Sequence, residues 1–201
     1  MKALKVYFGV IGKNSAGKET VYLIFQELIK KYAPNLKVNI HHFSDPLREC
    51  LAVLRPLPGS KENQQIISTV LRQGFGEEVL GNALVHRAQN DAANIVFLDG
   101  IRRPQDVPKF LKLPNSHLIL VDAPFEKRLQ HAQSRTDRPA PTREQFLAQE
   151  NAEPERLIDK IAKQANITLT NSGTLEELEG QIFGKILIRK LGIINVRGVK
   201  V

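Results

Sequence analysis

Tryptophan is absent from this chain, cysteine and methionine occur once each, and aromatic residues make up only 6%. So few aromatic faces argue against stacking as the main recognition device. A single Cys50 excludes an intrachain disulfide and any cysteine-based zinc site, an economy that fits a reducing cytoplasm. No stretch approaches the ~18 apolar residues of a membrane span, so no membrane partner is expected. The five histidines lack metal-ligand spacing. His41 and His42 adjoin the end of the second expected strand, where an ordinary surface or packing role is expected.

What is present describes a globular chain. Its 201 residues, 42% hydrophobic and 25% charged, suit one domain carrying a small insertion. The net charge is +8, and Lys185, Arg189, Lys190, Arg197 and Lys200 supply five of those charges from a stretch without acids. Such a tail suits nucleic acid or a membrane surface. It equally suits a solvated helix end and an edge strand, which is the plainer expectation.

The stretch Gly12-Lys13-Asn14-Ser15-Ala16-Gly17-Lys18-Glu19-Thr20 organises the rest. An apolar run, Val6 to Ile11, precedes it, and helical spacing of Val21, Ile24, Phe25, Leu28 and Ile29 follows. Strand, G-x-x-x-x-G-K, then helix is the context of a phosphate-binding P-loop. The two N-terminal lysines and the apolar run superficially suggest a signal peptide. Running straight into the phosphate loop, they read as the first core strand. Gly12, Asn14, Ser15, Ala16 and Gly17 would wrap a triphosphate with backbone N–H groups, and Lys18 adds a mobile charge. Glu19 stands where Ser or Thr usually ligates Mg²⁺, and Thr20 follows one place later.

Beyond the loop, helical and apolar stretches alternate. Helices are expected at about 18–32, 44–54, 61–73, 77–91, 104–113, 125–134, 142–150, 154–165 and 174–190. Strands are expected at 36–42, 94–98, 117–121 and 167–170, with a further strand in the tail from Gly192 to Val201. Five short apolar strands between helices predict a three-layer α/β/α domain with a parallel sheet. The resulting organisation is a domain at 1–190, with a helical insertion at about 44–92 and a lid at about 128–150. A basic extension occupies 191–201.

Open α/β sheets bind ligands beyond the carboxyl ends of their strands, and charge concentrates there. The second strand is followed by Asp45 and Arg48, and the third by Asp99, Arg102 and Arg103. The fourth leads to Asp122, Arg128, Arg135 and Arg138, and the fifth to Asn171-Ser172-Gly173. Asp99, with Glu19 or Thr20, is placed to organise Mg²⁺ on phosphate oxygens. Arg128, Arg135 and Arg138 are candidates to close over a moving phosphoryl group. Arg48, Arg72 and Arg87 on the intervening helices, with Arg102 and Arg103, are candidates to clamp an acceptor.

On these residues the chain resembles the nucleoside monophosphate kinase branch of P-loop proteins, from about residue 5 to 185. The order of phosphate loop, helical insertion, Leu98-Asp99-Gly100-Ile101-Arg102 and arginine-bearing lid is that of adenylate kinase. Leu118 to Arg128 and Asn166 to Thr174 look like dephospho-CoA kinase, where the asparagine-bearing loop borders adenine. That likeness implies Asn171 and Gly173 beside the donor base. Gly17-Lys18-Glu19-Thr20, Phe43 to Arg48 and Asp99 to Arg103 are similar to phage deoxynucleoside monophosphate kinases and animal-type phosphomevalonate kinases. The resemblance implies a cytoplasmic, Mg²⁺-dependent kinase, monomeric or homodimeric, that moves the γ-phosphoryl of ATP to a nucleotide-like acceptor. A phosphate acceptor needs only arginine clamps, whereas a hydroxyl acceptor benefits from a base, for which Asp45 is placed. The basic tail motivates an alternative, an RNA-associated ATP-binding protein. A switch GTPase is a weaker third reading, since no N-K-x-D motif specifies guanine.

Overall fold

The computed structural model describes residues 5–54, 60–136, 139–151 and 153–193. Five strands form one parallel sheet in the order β2-β3-β1-β4-β5. They are β1 (Val6–Ile11), β2 (Val38–His42), β3 (Ile95–Asp99), β4 (Ser116–Asp122) and β5 (Ile167–Thr170). The expected three-layer α/β/α architecture is present, with helices on both faces.

Period-two alternation assigns each strand residue to a layer. Val6, Phe8 and Val10 of β1 pack with Ile95 and Phe97 of β3 beneath α1 (Lys18–Tyr32) and α9 (Leu175–Ile182). Phe8, Phe25 and Phe97 meet there, with ring centroids 4.8–5.8 Å apart. Burying each such ring contributes about 1.5–3 kcal/mol. The alternate set, Tyr7, Val96, Leu98 and Leu118, faces α4 (Val79–Asn90), α5 (Asp106–Leu111) and α8 (Glu153–Ala162).

Between β2 and β3 the chain forms α2 (Asp45–Val53), α3 (Lys61–Phe75) and α4. Between β4 and β5 it forms α6 (Phe125–Gln133), α7 (Arg143–Glu150) and α8. The capping boxes at Thr142–Gln145 and Thr174–Glu177 both form. Helix α3 runs two residues past its expected end, through Gly74, and stops at Gly76, whose φ is +92°. Helix α5 starts at Asp106, two residues later than expected, because the chain turns through Arg103 to Gln105 first. Helix α8 ends at Ala162, and turns closed by Gln164 and Ala165 lead into β5. Helix α9 continues as π-helical turns, Phe183–Ile188. Gly192 at φ +65° ends it, with its N–H on the Ile188 carbonyl and that of Ile193 on Leu187. That is a Schellman-type stop, so Gly192 and Ile193 begin no strand; the rest of the expected tail strand lies outside the described residues.

Among the described residues no helix is long and apolar enough to cross a membrane.

Candidate active site

The P-loop leaves β1 at the centre of the sheet, where the strand order reverses. Two glycines are demanded by contact as well as by conformation. A Cβ on Gly12 would lie 2.4 Å from the Val121 carbonyl oxygen, and one on Gly17 (φ +95°) 2.3 Å from Asn171 Nδ2. Gly17 also caps α1, whose N-terminus therefore opens into the loop. Lys18 donates to the loop's own carbonyls, Gly12 O at 2.8 Å and Lys13 O at 3.1 Å. Ala16 is buried, and its carbonyl accepts from Asn171 Nδ2 at 3.0 Å. Asn171 thus braces the loop from β5, and Gly173 lies exposed just before the Thr174 cap.

Asp99 ends β3 on the face that carries α1, because Ile95 and Phe97 precede it on that face. In the β2–β3 register its neighbour is His42. His42 Nδ1 lies 3.2 Å from Asp99 Oδ2, while Asp99 Oδ1 is buried with no hydrogen-bond partner. Burial pushes the Asp99 carboxyl upward, but the His42 bond and the charges of Lys18, His42 and Arg102 together hold it below the usual range. The bond to Asp99 conversely raises His42, against burial, with Asp45 adding to the rise. A half-buried, ionised carboxylate beside a P-loop lysine suits a cation carried on phosphates. Mg²⁺ commonly takes one or two carboxylates and fills its shell with phosphate oxygens and water. Among the described residues no group of three or more His, Cys, Asp or Glu could hold a metal unaided.

Asp45 opens α2, with Pro46 in the first turn. Its Oδ2 accepts the His42 backbone N–H at 2.7 Å, and its Oδ1 is 3.6 Å from Arg48 Nη1. Asp45, His42 and Asp99 therefore form one connected group at the ends of β2 and β3. Arg102 bears electrostatically on Asp99, whereas Arg103 pairs with Glu77 at 2.9 Å, toward the α3–α4 turn. Arg87 forks onto Glu49 and ties α4 to α2. Arg72 is buried in an ion cluster with Glu77 and Asp106.

The region expected to form a lid departs from expectation at Arg128. Instead of a mobile arginine, it is 4% exposed, with Nε donating to the Ala123 carbonyl at 2.9 Å and Nη1 paired with Glu150. Phe125 and Phe146 flank its guanidinium at 5.8 and 5.9 Å. Arg128 braces the root of α6 because its fork finds a carboxylate and two aromatic rings in one buried place. Arg135 reaches back to the P-loop, 4.0 Å from the Glu19 carboxylate, and Arg138 lies outside the described residues. Glu19 is exposed and faces Arg135; Thr20 is half-buried in the first turn of α1.

Four contacts to this site were not expected from the sequence. Besides His42, a ring nitrogen of His131 on α6 lies 3.1 Å from the Ser15 carbonyl, and Asn14 donates to Gln149 of α7 at 3.2 Å. Lys13 pairs with Asp159 of α8 at 3.2 Å. Helices α6, α7 and α8 therefore each contact the phosphate loop directly. Only His42 carried a signal, its place at a strand end; the others need the three-dimensional fold of 125–159.

No family model matches the chain. A UPF0200 protein of Methanoregula boonei is 27% identical over 177 residues, which cover 87% of this chain and 92% of that protein. A UPF0200 protein of Methanoculleus marisnigri is 25% identical over 186 residues, covering 92% and 96%. Among solved structures, TT1252 from Thermus thermophilus aligns with a TM-score of 0.55 at 21% identity, covering 88% of this chain and 93% of its own. Shikimate kinase from Aquifex aeolicus aligns at 0.52 and 18% identity, covering 93% and 99%. Shikimate kinase from Acinetobacter baumannii, in complex with shikimate, aligns at 0.52 and 18%, covering 94% and 97%. The likeness is to P-loop kinases as a fold and singles out neither the adenylate kinase nor the dephospho-CoA kinase branch. This chain has the three-layer fold of the P-loop kinases.

Proposed function

We propose that the chain is an ATP-dependent kinase transferring the γ-phosphoryl group to a small nucleotide or nucleotide-like acceptor. The observation that carries this reading is Asp99, ionised with a buried, unpartnered Oδ1, beside the Lys18-bearing P-loop. A turn that merely binds phosphate has no use for such a carboxylate.

In this reading the N–H groups of Gly12 to Gly17 and the α1 N-terminus hold the β- and γ-phosphates. Lys18 leaves its carbonyl partners for the phosphate oxygens. Asp99, with Thr20, would hold Mg²⁺, which would supply charge neutralisation on the phosphates. Glu19, which faces Arg135, would add its charge to the same cation site. Arg135 and Arg138 come over the transferring group, while Arg128 fixes the hinge from which they move. Arg48 and Arg102 lie nearest the Asp45–Asp99 group and bind the acceptor. Arg87 and Arg103 join them only by releasing Glu49 and Glu77. Asp45 takes the proton of a hydroxyl acceptor if the acceptor is one, a step a phosphate acceptor does not require.

The test is ADP formation from ATP with nucleoside monophosphates, deoxynucleoside monophosphates and dephospho-CoA. One class should turn over, and Lys18→Ala should lower that rate about 10²–10³-fold, the usual loss of a charge-stabilising donor. Intact ATP binding without turnover on any of them contradicts the reading. Asp45→Ala then sorts the acceptors: it cripples transfer to a hydroxyl and largely spares transfer to a phosphate.

A further inference from the structure

The parallel register sets His42 directly opposite Asp99. Alternation then puts both on one face, since Ile40 and Phe97, two residues back on each strand, lie in the core under α1. His42 is no packing residue, because its side chain is 40% exposed at the mouth of the cleft. Its main chain is pinned by the 2.7 Å bond from its N–H to Asp45 Oδ2, so the imidazole is delivered from a fixed base. Its Nδ1 takes Oδ2 of Asp99 at 3.2 Å and leaves Oδ1 without a partner.

The terminal torsion of an aspartate is broad and roughly two-fold. Its two oxygens are equivalent, so what stays free is the tilt of the carboxylate plane, and nothing intrinsic to Asp99 fixes it. The imidazole removes that freedom, as a residue behind a metal-binding carboxylate does when it orients it.

We propose that His42 is a positioning residue for the cation: by holding Oδ2 of Asp99 it commits Oδ1 to the divalent ion that accompanies the nucleotide. This rests on the reading of Asp99 as the cation-organising carboxylate. The experiment therefore separates the two.

Mn²⁺ affinity is measured by the electron paramagnetic resonance of free Mn²⁺, in the presence of saturating ADP. ADP affinity without metal is measured by calorimetry. The proteins are the wild type, Asp99→Asn, His42→Ala, His42→Phe and His42→Asn. Phe keeps the ring volume without a donor, and Asn offers an amide N–H to Oδ2. Both donor-less variants should weaken Mn²⁺ binding about 10-fold, the low end for losing such an orienting partner. Metal-free ADP affinity should stay unchanged, and His42→Asn should recover most of the loss. Unchanged Mn²⁺ affinity in His42→Ala and His42→Phe, with Asp99→Asn weakened, overturns the role of His42 alone. Unchanged affinity in Asp99→Asn overturns the reading of Asp99 and this inference with it. Equal loss of metal-free ADP binding in the His42 variants would mean a general structural role and would also overturn it.

Discussion

Asp99 and Asp106 stand seven residues apart in the sequence, and each has one buried oxygen without a hydrogen-bond partner. Their surroundings drive them in opposite directions. Asp99 lies at a strand end facing a histidine, a lysine and an arginine, and its carboxyl stays below the usual range despite burial. Asp106 lies under α4, so close to Gly81 that a Cβ there would be 2.7 Å from its Oδ1. Its cation, Arg72, is 3.7 Å away, and burial raises the carboxyl to about 6. Arg72 and Arg103 pull it down, while Glu77 and Glu78 add to the rise. A cleft can surround a carboxylate with cations and leave room for a ligand, whereas a helix junction can only enclose it. The first arrangement suits a ligand site, and the second ties the helices between β2 and β3 to α5.

The comparison breaks most visibly if the buried pair is split. Arg72→Met leaves Asp106 enclosed without its cation and should cost about 3–5 kcal/mol at pH 8. The loss, read by chemical denaturation, should shrink below pH 6 as Asp106 takes up a proton. Equal losses at pH 5 and pH 8 would remove the ion pair from the account. Asp99→Asn should do the reverse: turnover falls about 10²–10³-fold while the melting temperature hardly moves. Asp106→Asn should leave turnover per folded molecule near the wild-type value.

The pH dependence of stability sharpens the contrast. Because Asp106 titrates near 6 in the folded protein and about 3.9 when unfolded, the folded state binds the extra proton between those values. Its contribution therefore falls as pH rises from about 4 to about 6, by at most about 3 kcal/mol. Asp106→Asn should remove that part of the slope, and an unchanged slope would contradict it. Glu77→Gln should have the smallest effect, under about 1 kcal/mol. Its carboxylate is half-exposed, and exposed ion pairs contribute little.

Much of the architecture was legible in local sequence. The run Val6–Ile11, the loop Gly12–Lys18 and the helix after it have periods and breakers that local sterics enforce. Both capping boxes were readable from residue types three positions apart. The strand-end rule located Asp45 and Asp99, but it could not give the register that sets His42 against Asp99, because pairing belongs to two distant segments. Arginines were the least legible. Arg48, Arg87, Arg102, Arg103, Arg128 and Arg135 look alike in sequence, and their carboxylate neighbours decide among them. Arg128 became a buried brace because Glu150, Phe125 and Phe146 converge on it. Arg87 and Arg103 are held by Glu49 and Glu77.

The central claim is that the Lys18–Asp99 site moves a phosphoryl group to a small acceptor. Incubating the protein with ATP labelled in its γ-phosphate and a mixture of nucleoside monophosphates, deoxynucleoside monophosphates and dephospho-CoA tests it most directly. Label should appear in one acceptor class and be lost in both Lys18→Ala and Asp99→Asn. Label appearing only as inorganic phosphate, or remaining in ATP while ATP is bound, would contradict it.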